Sequence, residues 1–124
     1  MEKIKKHLYL SDFDGFTEKE VRNHLITTYS AGIEKLNALH ILIAYESEDS
    51  YDGQSWFLFQ KKHSGDLFEM SASHCSCYGF EDQFDLEEIT LEFLKSSRFR
   101  VPISSYSYGG DSDGNRIRDF IESL

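Results

Sequence analysis

The chain has 124 residues, 40% hydrophobic and 15% aromatic, which is enough for one packed domain and too short for two ordinary ones. Thirteen Lys and Arg stand against 22 Asp and Glu, a formal net charge of −9 that makes nucleic acid a poor direct ligand. No apolar run is long enough to span a bilayer, and Met1-Glu2-Lys3-Ile4-Lys5-Lys6-His7 lacks the apolar stretch and cleavage site of a secretion signal, so a cytoplasmic domain without membrane contact is expected.

In chain order, the first patterned stretch is Leu8-Tyr9-Leu10-Ser11-Asp12-Phe13-Asp14-Gly15. Over about eight residues it resembles the nucleophile loop of haloacid dehalogenase-type phosphatases, where an apolar strand precedes D-x-D-G. The resemblance stops at Phe16, and the chain is too short for that family's doubly wound sheet, so Asp12 and Asp14 are read as turn and helix-entry residues. Thr17-Glu18-Lys19-Glu20 has the spacing of a capping box and predicts a helix to about Tyr29, with Val21, Leu25 and Thr28 inward. A helical turn through Ile33 and Leu36 follows, and then a strand over 40–45, rich in β-branched residues.

Strands over 54–60 and 66–75 are expected to form a hairpin turning at Ser64-Gly65. If His63 faces Asp66, then Phe57 lies opposite Ala72, Phe59 opposite Met70, Gln54 opposite Cys75 and Asp52 opposite Cys77. This places Trp56 and Leu58 on the other face, where a helix or a partner must cover them. Asp85-Leu86-Glu87-Glu88 reads as a second cap, opening an amphipathic helix to about Ser96 that uses Leu86, Ile89, Phe93 and Leu94. Residues 99–103 read as a short edge strand because Pro102 forbids a central ladder position, and a last helix is predicted over 115–122. Asp111-Ser112-Asp113-Gly114-Asn115 opens like a calcium loop, but Arg116 occupies the place of the sharp-turn glycine, so a solvated turn is expected. The fold class that follows is α+β, one domain over residues 1–124, with an antiparallel sheet of three to four strands packed with about three helices.

The residues with distinctive chemistry are Cys75 and Cys77. A disulfide across one intervening residue is strained, and reduced thiols suit the cytoplasm. On an extended strand the two sulfurs share a face, and in the register above Asp52 joins them from the neighbouring strand. With His74, or alternatively Glu81, as fourth donor, the set Cys75, Cys77, His74 and Asp52 suits tetrahedral, structural Zn2+. The competing reading is a pair of half-buried thiols packed as small apolar groups. Cys75 as a nucleophile is disfavoured because His74, adjacent on a strand, points away from it. His7, His24, His40 and His63 are scattered and read as surface or satisfied core residues. The acids cluster: six occur between Tyr78 and Leu94 with no base, and four between Glu46 and Asp52. Such runs form either a solvated face or an approach surface for a basic partner.

Ser73-His74-Cys75-Ser76-Cys77-Tyr78-Gly79-Phe80-Glu81, with Tyr51-Asp52-Gly53 upstream and Phe84-Asp85-Leu86-Glu87-Glu88 downstream, resembles a family of small phage and prophage proteins that carry an S-H-C-S-C-Y-G-x-E block. The similarity runs from about Tyr51 to Leu94, and the chain has Phe84 and Leu86 where that pattern has Trp and Pro. The family includes zinc-containing anti-CRISPR inhibitors of type II effectors. The resemblance implies a phage-encoded, non-enzymatic inhibitor in which zinc is structural and the acidic face meets a basic surface of the host nuclease, blocking DNA loading. Two other readings are a small zinc-dependent hydrolase with Glu81 as base and a host-takeover binding protein with another target.

Overall fold

A computed structural model of the chain describes residues 6–48, 53–74, 80, 83–101 and 110–124. In order these form β1 (Leu8–Ser11), α1 (Glu18–Tyr29), α2 (Ile33–Asn37), β2 (Leu39–Glu48), β3 (Gly53–Lys61), β4 (Leu67–His74), β5 (Glu87–Ile89), α3 (Leu91–Leu94) and α4 (Gly110–Glu122). The fold is α+β, as the sequence pattern requires. Its sheet is larger than expected: five strands in the order β1-β2-β3-β4-β5, mixed rather than antiparallel, because β1 runs parallel to β2.

The capping box forms as read. Thr17 Oγ1 accepts from the Glu20 amide at 3.2 Å and Glu20 Oε1 accepts from the Thr17 amide at 3.0 Å, satisfying amides that the first helical turn leaves unpaired. Val21, Leu25 and Tyr29, spaced by full turns, are the buried stripe of α1. The third place falls to Tyr29 rather than Thr28, since the i, i+4 spacing continues from Leu25.

The hairpin keeps its predicted faces but not its predicted register. Phe57 pairs with Met70, Phe59 with Phe68 and Gln54 with Ser73, an offset of two residues from the pairing expected. The turn is the cause. The Lys61 amide donates to the Asp66 carbonyl and the Gly65 amide to the Lys61 carbonyl, so the connection is longer than two residues. Gly65 closes it at φ 78°, a left-handed conformation suited to glycine. Because side chains alternate with a period of two, a shift of two residues preserves every face.

In β2 the pairing with β3 slips between Ile41 and Ile43, and Leu42 and Ile43 both join the core on one side. The sheet thereby buries both faces. On one lie Phe57, Phe59, Met70 and Ala72 beneath α1, with Phe13 and Phe80; on the other, Trp56, Leu58 and Leu67 lie beneath Leu94 of α3, Phe99, and Ile117 and Ile121 of α4. Helices therefore cover Trp56 and Leu58.

Three further expectations are corrected. Residues 87–89 are an edge strand, not a helix, because Glu87, Glu88 and Ile89 pair with Glu69, Phe68 and Leu67 of β4. Helix α3 begins only after Thr90, whose Oγ1 accepts from the Phe93 amide at 3.1 Å. Helix α4 starts at Gly110, which makes Asp111–Asn115 helical and leaves neither a solvated turn nor a calcium loop there. Residues 99–101 carry no strand; the rest of that predicted strand lies outside the described residues.

Candidate functional site

Of the four residues assigned to zinc, His74 ends β4, and its backbone pairs with Gly53, the first residue of β3. Asp52, Cys75 and Cys77 lie outside the described residues, as does Glu81. Chain connectivity still relates them, since Asp52 precedes Gly53 and Cys75 follows His74. Two thiolates, an imidazole and a carboxylate are a donor set that fits tetrahedral zinc. Among the described residues no group of three His, Cys, Asp or Glu side chains converges to hold a metal. The expected pairing of Gln54 with Cys75 is replaced by Gln54 with Ser73.

Beside this strand end, Gln83 grips the edge of β4. Its Nε2 donates to the Ser73 carbonyl at 2.8 Å and its Oε1 accepts from the Ser73 amide at 3.1 Å, as a neighbouring strand would. Next to it is a cavity of about 250 Å³ lined by Gln54, Ser55, Ser71, Ala72, Ser73 and Gln83, none of them ionisable. The Ser55 hydroxyl is buried without a hydrogen-bond partner.

The second feature is electrostatic. β5 is the last strand in the sheet order, and Asp85, Glu87, Glu88 and Glu92, on it and beside it, are all exposed. No Lys or Arg interrupts the sequence from Gln83 to Leu94. Glu69, half-buried on β4, pairs directly with Glu87. Burial raises the Glu69 pKa above the usual carboxylate range; the Trp56 indole lowers it, and the Glu87 charge raises it further.

A third constellation was not read from the sequence. Glu46, expected on an acidic surface run, is only 2% exposed. Its Oε1 accepts from the Tyr29 hydroxyl at 2.5 Å and lies 2.9 Å from His24 Nε2. The Glu46 carbonyl also accepts from the Asp12 amide at 2.9 Å, where Ser11, at φ 57°, turns the chain out of β1. The cluster joins α1 to β2 and the turn after β1, and places His24 as a satisfied, partly buried residue. Extending the alternation of β2 past Tyr45 would have revealed it, because Ala44 and Glu46 then share the face covered by α1. Carboxylate and imidazole form a dyad, but the aromatic rings of Phe13 and Tyr29 pack edge-on against His24, which suits a brace between elements.

No protein-family model, characterised protein or solved structure matches the chain.

Proposed function

We propose that the chain is a non-enzymatic, phage-encoded anti-CRISPR inhibitor that binds a host type II RNA-guided nuclease in the cytoplasm through its acidic face and blocks DNA loading. The observation that supports this most is the exposed row Asp85, Glu87, Glu88 and Glu92 along a sheet edge, without an intervening cation. Such a row presents carboxylates to a groove that otherwise receives phosphates, and its field accelerates encounter with a basic protein. The nuclease as target comes from the likeness of the Ser73–Glu81 block to the phage family.

In this reading Cys75, Cys77, His74 and Asp52 hold a structural zinc that ties the ends of β3 and β4 to the chain beyond them. The Gly53–His74 pairing supports it, because the described residues that adjoin Asp52 and Cys75 in the sequence stand opposite each other. Zinc there would supply folding energy rather than a reactive water.

Purified type II nuclease, loaded with guide, is assayed for target cleavage with increasing amounts of the protein, and the mixture is run on gel filtration. Inhibition that disappears when the protein is added after DNA, with co-elution of the two proteins, is the expected result. Unchanged cleavage and separate elution would refute the target. Elemental analysis tests the metal independently: about one zinc per chain is expected in the native protein and a substantial loss in Cys77→Ser.

A further inference from the structure

β5 is held to the sheet by three residue pairs only, and one of them sets Glu69 directly across from Glu87. Both carboxylates are on the face that carries Leu58, Leu67 and Ile89, so the pair closes the margin of the second core. Like charges at directly opposed positions, with Cβ atoms roughly 5 Å apart, oppose strand pairing. A cation could relieve the clash, yet neither carboxylate forms an ion pair among the described residues. The polar and charged groups that act on Glu69 are Trp56 of β3 and Glu87 of β5. Of the cations on and directly after the helices packed on the same face, Lys95 donates to the Leu124 carbonyl, Arg116 lies 4.0 Å from Asp113, and Arg118 is exposed.

We infer that β5 is an acid-tightened edge strand, in which proton uptake by Glu69 replaces repulsion with a Glu69 O–H to Glu87 hydrogen bond and loss of that proton leaves the strand poised to detach. The proton comes from solvent, to which Glu87 is exposed and Glu69 half-exposed. The direction follows from linkage. Glu69 binds its proton more tightly when folded than when β5 is released, because burial and Glu87 both raise its pKa and outweigh the Trp56 indole. The folded pairing therefore gains stability as pH falls through the raised value towards the ordinary carboxylate range, and loses it again as pH rises. The single Trp lies at this point, with its buried Nε1 in the field of Glu69 but making no formed hydrogen bond.

The test is amide hydrogen exchange on β4 and β5 at about pH 7.5 and about pH 5.5, read as protection factors so that the intrinsic pH dependence is removed. In the native chain protection of Glu87 and Ile89 should rise about threefold or more at the lower pH, the scale of one cross-strand charge pair. Glu87→Gln, a change at an exposed residue, should show the higher protection already at the upper pH and little further change. Trp56 emission should titrate with the same midpoint in the native chain and lose that transition in Glu69→Gln. Protection that is flat with pH in the native chain would overturn the inference. So would a pH dependence that persists unchanged in both Gln variants.

Discussion

Glu46 tests how a carboxylate is kept inside a core. At 2% exposure it has lost most of its hydration, and the Tyr29 hydroxyl at 2.5 Å and the His24 ring at 2.9 Å replace it. Tyr29→Phe removes one donor while leaving the ring stacked on Phe80 and edge-on to Phe57. The buried carboxylate then keeps only the His24 ring of these two partners, and we expect destabilisation of about 1–3 kcal/mol, read from the urea midpoint at constant slope. A loss near zero would mean that Glu46 finds another donor and that the brace between α1 and β2 is not held by this bond. Ser30 gives a change of opposite sign. It ends α1 at φ 60°, exposed, in a conformation that disfavours a side chain. Ser30→Gly should stabilise by about 0.5–1 kcal/mol in the same titration, and a decrease would contradict the strain assigned there.

At the scale of elements, what the sequence revealed depended on whether the signal was local. The capping box at Thr17 and the alternation of Trp56, Phe57, Leu58 and Phe59 are properties of neighbouring residues, and both appear as read. Register is not local. It is set by the turn, and the Lys61–Asp66 closure moved each pairing by two residues without moving any residue to another face. β1 and β5 escaped because each is very short and gains its strand character from a partner distant in sequence, β2 for one and β4 for the other. The acids at Asp85, Glu87 and Glu88 imitate a helix cap, yet the open edge of β4 takes the segment as a strand. Gln83 extends that edge beyond β5. Gln83→Ala removes two side-chain bonds to Ser73, and since water can reach this exposed edge, the expected loss is about 0.5–2 kcal/mol, accompanied by faster exchange of the Ser73 amide. Retained protection at Ser73 would show that backbone, not the Gln83 amide, closes the edge.

For the whole molecule, a net charge of −9 acts on folding and on binding with opposite signs under salt. Inside the folded chain the acids outnumber the bases, and the exposed row along β5 concentrates the excess. Compaction brings those charges together, so added salt, which shortens the screening length from roughly 30 Å at 0.01 M to roughly 8 Å at 0.15 M, should raise the thermal midpoint. Binding to a basic groove draws on the same field as attraction. For the proposed nuclease partner, the same salt should lower the association rate by about tenfold or more while leaving dissociation nearly unchanged. Reversing two exposed charges, Asp85→Lys with Glu88→Lys, should reduce both responses together, because one set of carboxylates underlies them. Stopped-flow association and thermal melts across a salt series measure the two slopes on the same samples. An association rate indifferent to salt, in a chain whose melting midpoint still climbs, would show that the acidic edge serves solubility alone and that a partner docks on another face.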